Sequence, residues 1–139
     1  MDDAVRQRIE TRLAAANAGF HRTAGFRVVS YGEGTSRVEI DVAPPVQNVN
    51  GTLHGGVIAA LVDQAGTIAI MGADREGRPG VTTDLNVSIF APAPGGSTVV
   101  ADAEVKKIGK NLAFVSVDVR RAADGALVAQ GRMTKFQGG

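Results

Sequence analysis

Asn48-Val-Asn-Gly-Thr-Leu-His-Gly-Gly-Val-Ile-Ala-Ala-Leu-Val-Asp63-Gln-Ala-Gly-Thr-Ile-Ala-Ile-Met71 is the stretch whose reading decides the fold. From Gly55 to Met71 apolar side chains fall on nearly every side of a helical wheel, the pattern of a helix enclosed by its own protein. At about 1.5 Å per residue it would be on the order of 25 Å long. One carboxylate, Asp63, interrupts it, and a His-Gly-Gly opens it. An unpaired acid on a buried helix costs several kcal/mol, so Asp63 requires a physical reason.

Turning about 100° per residue, Asp63 shares its side with Ala59, Ala60, Gly66 and Thr67. Ile58, Leu61 and Ile68 lie roughly opposite and form the better core face. The acid is therefore expected to look across a lane of small side chains, where a ligand or another backbone can approach. Either local donors such as Thr67 satisfy it, or it is placed there for chemistry.

Working outward, the period changes from helical to two. Upstream, Val5, Ile9 and Leu13 predict an amphipathic helix over residues 3–17, stopped by Asn17 and Gly19. Phe26 and Val28 suggest a short strand, Gly32 and Gly34 a turn, and Val38, Ile40 and Val42 a half-buried strand ended by Pro44-Pro45. Downstream, Gly77-Arg-Pro-Gly80 breaks the helix. Alternating strands follow around Val81–Ile89, Val99–Val105, Ala113–Val119 and 126–136, with turns at Pro92-Ala-Pro-Gly-Gly96, Gly109-Lys110 and Asp124-Gly125. Strands joined by tight turns are expected to pair as antiparallel neighbours. The result is an α+β fold over 1–139: a curved antiparallel sheet wrapped around one long central helix, with an additional N-terminal helix. The Asp63 side of the helix is left uncovered within one chain, which predicts a homo-oligomer.

Composition narrows the function. The 139 residues suit one domain, and 44% hydrophobic with 21% charged is ordinary for a soluble protein. A net charge of +1 offers nothing to nucleic acid or a membrane surface. With no Cys and two His, neither a disulfide framework nor a Cys- or His-rich metal site is expected. The apolar run reads as too short for a bilayer and carries Asp63. The Met-Asp-Asp-Ala start lacks the features of a signal peptide. A cytoplasmic protein without metal or cofactor is the expectation.

Asn48-x-x-Gly51-x-x-His54-Gly-Gly56 followed by Asp63 resembles the active-site segment of hotdog-fold acyl-CoA thioesterases, in particular the phenylacetate-pathway thioesterase group and mammalian thioesterase superfamily member 2. The resemblance continues through Pro79-Gly-Val-Thr-Thr-Asp-Leu-Asn86, Gly109-Lys-Asn-Leu-Ala-Phe-Val-Ser-Val-Asp118 and Ala129-Gln-Gly-Arg-Met-Thr-Lys135, and so covers nearly everything after residue 25. It implies a hotdog fold and hydrolysis of an acyl-CoA thioester. It further implies Asp63 as general base or nucleophile and the Gly55 amide as oxyanion donor. Asn48 would hold the attacking water or the thioester, His54 would support the site by hydrogen bonding, and Thr82 would orient the water. Lys110, Asn111 and Lys135 would lie along coenzyme A. A homodimer at minimum, and a homotetramer, is the expected assembly.

Part of this chemistry stands on its own. Thioester hydrolysis needs an activated water and a donor aimed at a developing oxyanion. The Gly55 amide is among the first of the helix, without an intrahelical acceptor and at the positive dipole end. Asp63 lies roughly 12 Å further along the axis, so one carbonyl cannot reach both. Two chains must supply them if both serve one reaction. Taken singly the other residues are less specific: Asn48 suits an Asx turn, His54 a helix cap, and Lys110 and Lys135 solvated surface charges. An acyl-thioester hydratase or dehydratase and a non-catalytic acyl-CoA-binding module are the competing functions.

Overall fold

The alternating and helical segments become α1 (Asp3–Ala16), α2 (Phe20–Ala24), β1 (Arg27–Gly32), β2 (Thr35–Asp41), α3 (Gly55–Ala73), β3 (Val81–Ile89), β4 (Thr98–Ile108), β5 (Leu112–Arg121) and β6 (Leu127–Phe136). The computed structural model describes residues 1–17 and 19–138, so the expected end of the domain at Gly139 lies outside the described residues. Asp2 caps α1 by accepting from the Val5 amide at 2.8 Å, as a short acceptor at an N-cap should. The short α2 has no counterpart in the sequence reading, being too brief to show a period.

The six strands form one antiparallel sheet in the order β1-β2-β4-β5-β6-β3. This corrects the expected β3–β4 hairpin. The connection between those strands does not turn back on itself; it binds the loop that precedes α3. Leu53 N donates to Ala93 O at 2.9 Å, Gly95 N to Gly51 O at 2.8 Å and Gly96 N to Val42 O at 2.9 Å. With its backbone groups satisfied there, the chain carries over to the β2 side, and β3 is left to pair with β6 at the far edge.

The sheet wraps α3. Ile58, Leu61, Val62, Ala65 and Ile68 are buried against the inward rows of β2, β4, β5 and β6, among them Val38, Ile40, Val99, Val117 and Met133. Gly66 belongs to this buried side and not to the small-residue lane expected beside Asp63. A Cβ at Gly66 would meet Met133 Sδ at 2.9 Å and Val115 Cγ1 at 3.0 Å, so the space over this glycine is filled by the sheet's side chains and any larger residue would have to displace the Met133 thioether. Ala59, Ala60, Asp63 and Thr67 are only partly buried and do form the open side.

A second correction concerns length. At 19 residues and mean hydropathy 1.5, α3 is long and apolar enough to cross a bilayer by length and composition. What it contacts is the sheet of its own chain.

Candidate active site

Asp63 is half-buried in the middle of α3, and Thr82 Oγ1, at the start of β3, donates to its Oδ1 at 2.8 Å. Thr82 faces inward because it stands opposite Lys135 of β6, in the row that continues through Met133 and Gly131 against the helix. β3 is paired only on its β6 side, and it presents Val81, Leu85 and Ile89 to solvent at 66%, 39% and 50% exposure. Apolar side chains on an unpaired edge beside a carboxylate leave that corner open to a partner.

The mouth of the helix is built differently. His54 is the N-cap residue, and its Nδ1 accepts from the Gly56 amide at 2.8 Å. That bond takes up Gly56 and leaves Gly55 as the free donor. Among the described residues the Gly55 amide has no acceptor, and it stands at the positive end of a 19-residue helix. Gly55 lines a cavity of about 370 Å³ together with Asn48, Leu53, Ile58, Ile89 and Phe90.

Asn48 shapes that cavity. Its Oδ1 accepts from the amides of Asn50 and Thr52 at 3.0 and 3.1 Å, and its Nδ2 donates to Thr52 Oγ1 at 2.8 Å. It is thus an Asx-turn residue, as the plain reading has it, while one Nδ2 hydrogen stays uncommitted. Asp63 does not line this cavity, as the spacing along the helix requires. Asn48, His54 and Gly55 gather at one end of α3, and Asp63 with Thr82 in its middle.

The three residues expected along coenzyme A separate. Lys110 and Asn111 are exposed in the β4–β5 turn, and Asn111 O accepts from Gln137 N at 2.7 Å, which ties the turn to the end of β6. Lys135 pairs through its backbone with nearby Ala113, but its side chain runs inward. It is buried, and its Nζ donates to Thr67 Oγ1 at 2.7 Å. Burial pushes the Lys135 ammonium below the ordinary lysine range, while the Asp63 charge acts in the opposite sense. Lys135 is therefore not the solvated strand-end lysine of the sequence reading. The period-two row of Gly131, Met133 and Lys135 already carried the signal.

Two further residues border the site. Thr67, read as a donor to Asp63, accepts from Lys135 instead. Gln64 reaches a cavity of about 740 Å³ between α1 and β1, which contains none of the expected site residues.

A family model described as the thioesterase superfamily matches residues 50–129, from the loop before α3 into β6.

The chain belongs to the thioesterase superfamily.

It is 42% identical to the acyl-coenzyme A thioesterase 13 of Homo sapiens, over 99% of this chain and 97% of that protein. Among solved structures it is similar to zebra fish thioesterase superfamily member 2, with 41% identity and a TM-score of 0.83, over 91% of this chain and 92% of that one. It also resembles smu.793 from Streptococcus mutans UA159 bound to acetyl CoA, at 26% identity and TM-score 0.75, over 82% and 89% of the two chains. The fold is the hotdog fold that the family resemblance implied, its helix enclosed by the curved sheet and its N-terminal helix present.

Proposed function

We infer that this chain is an acyl-CoA thioesterase whose active site is completed by a second copy of itself. The observation that carries the reading is the Thr82–Asp63 hydrogen bond, which aims a carboxylate at an open face of the helix. The matching donor, the Gly55 amide, is on the same helix but roughly 12 Å away along its axis. Antiparallel apposition of two such helices brings the Asp63 of one subunit to the Gly55 of the other. The exposed apolar residues of β3 support the same contact.

In that arrangement the thioester carbonyl accepts from the Gly55 amide and from the free hydrogen of Asn48 Nδ2. Asp63 either takes a proton from water as the water attacks the carbonyl carbon, or attacks it directly; Thr82 fixes the carboxylate in both cases. The oxyanion collapses, the C–S bond breaks, and the sulfur of coenzyme A leaves as thiolate and takes up the proton that came from water; where Asp63 attacks directly, water then hydrolyses the acyl-Asp63 anhydride, which releases the free acid and restores the carboxylate. His54 holds the amide of Gly56 and so keeps Gly55 presented. Lys110 and Asn111, exposed in their turn, suit the phosphates of coenzyme A. A homodimer is the least assembly that completes the site, and a homotetramer is the proposed state.

The test is release of free thiol from a panel of acyl-CoAs, with Asp63→Asn as control. Hydrolysis that requires Asp63 supports the reading. No hydrolysis with any acyl-CoA, or full activity in Asp63→Asn, would overturn it.

A further inference from the structure

Lys135 is a charged side chain for which the reaction just described has no use. It is 5% exposed, and an ammonium carries three donors of which one is taken, by Thr67. Among the described residues no carboxylate lies within ion-pair distance of it. A cation removed from water needs a counter-charge nearby.

The structure places one at the same corner. Thr67 follows Asp63 by one helical turn, so the two share a side of α3 and their Cβ atoms lie about 5–6 Å apart. In the sheet, Thr82 stands directly opposite Lys135. Thr82 reaches back to Asp63 and Lys135 reaches back to Thr67. Two helical residues one turn apart and two facing sheet residues thus close a four-cornered arrangement, with a carboxylate at one corner and an ammonium at another.

We propose that Lys135 is a positioning residue for Asp63: its buried ammonium, anchored on Thr67, supplies the fixed positive charge that orients the carboxylate beside Thr82. This rests on the thioesterase reading and replaces the assignment of Lys135 to the phosphates of coenzyme A.

Other charged groups on the elements around this corner face elsewhere. Asp84 of β3 and Arg132 of β6 line a cavity on the outer face of the sheet with Lys106. Arg6, Glu10 and Arg27 line the cavity on the α1 side of the helix that Gln64 also borders. Asp74, at the end of α3, is paired with Arg78. The opposing pull on the Lys135 ammonium, down from burial and up from Asp63, fits a cation whose principal counter-charge is that carboxylate.

Two measurements test this. In Lys135→Met, kcat should fall about tenfold or more while KM for acyl-CoA stays within about twofold. The acid limb of the kcat/KM profile should move to higher pH, and Lys135→Arg should bring it back. A raised KM with unchanged kcat would return Lys135 to the phosphates, and a rate loss with an unmoved limb would make it merely structural; either overturns the proposal. The second measurement needs no turnover. Titration of the Lys135 ammonium by NMR should shift to lower pH in Asp63→Asn than in the wild type, and an unmoved titration overturns the pairing even if Lys135→Met fails to fold. A wild-type chain that hydrolyses no acyl-CoA yet shows that shift would sink the thioesterase reading alone.

Discussion

Thr82 Oγ1 donates to Asp63 Oδ1 across 2.8 Å, so a hydroxyl on the free edge of the sheet and a carboxylate in the middle of the enclosed helix act as one unit. A carboxylate held by a single such bond on a half-exposed face has its remaining lone pairs open to water or substrate. It is also restrained in rotation, which a general base or a nucleophile requires.

Asp63→Asn should therefore lower kcat by about 10²-fold or more, the range of a lost general base, without unfolding the chain. Thr82→Ser keeps a hydroxyl and should stay near wild type, whereas Thr82→Val should lose roughly tenfold in kcat. Steady-state kinetics with a melting curve for each variant checks this. Loss in Thr82→Ser with Thr82→Val near wild type would mean that the methyl group, not the hydroxyl, matters.

The separation of Gly55 from Asp63 gives a complementation prediction. A Cβ on Gly55 already meets Ile89 Cδ1 at 3.3 Å, and Gly55→Val would obstruct the approach to the amide. Gly55→Val and Asp63→Ala chains should each be inactive. Co-refolded, about half the dimers are mixed and each holds one intact site, so roughly a quarter of wild-type activity should return. Mixed dimers that are shown to form and remain dead would rule out the shared site.

Lys110 is exposed in its turn, so Lys110→Ala should raise KM for acyl-CoA several-fold and leave kcat nearly unchanged. The wild-type KM should climb with salt as that contact is screened. An unchanged KM in the variant takes Lys110 out of the substrate site.

Asp74 offers a stability test remote from the chemistry. Burial pushes its carboxyl up, but the Arg78 guanidinium and the amides of Arg78 and Glu76 outweigh it and hold the group at about 2, against 3.8 for the free side chain. A carboxyl depressed in the folded state stabilises above its unfolded value, and the gain is lost as pH falls through the folded one. Asp74→Asn should cost on the order of 2 kcal/mol at neutral pH. The gap between the two proteins should narrow below about pH 4 and vanish only below about pH 2 in urea melts. A gap that does not change with pH would assign the cost to shape and not to charge.

Much of this was legible in the sequence, and the limits have physical causes. Ala113, Val115, Val117 and Val119 alternate because one face of β5 meets the helix, and all four are buried. The apolar run of α3 likewise announced a helix enclosed on most sides. Strand order was hidden, since alternation records which face a residue takes and not which strand lies beside it. The pairing of β3 with β6 depends on where the 90–97 connection finds its hydrogen bonds. Asp63 and Gly55 drew notice because an acid inside an apolar helix and a glycine at its mouth stand out where they sit, whereas Thr82, one hydroxyl on the polar side of a strand, entered only through the family resemblance. Lys135 was misread because lysines are so regularly solvated, although its place in the row with Met133 pointed inward.

The pairing of β3 with β6 also sets an order in time. β4 and β5 lie between them in the chain, so Thr82 has no place to dock until the final strand has been made and has found β5. A chain still emerging from the ribosome can form α3, Asp63 included, long before it has a sheet edge for Thr82. Non-local pairings of this kind are slow to close. The geometry at Asp63 is thus among the last features to be born, and an incomplete or clipped chain carries the acid without the strand that aims it. With Asp63 in the role proposed for it, catalytic competence doubles as a certificate that synthesis has reached the end of β6.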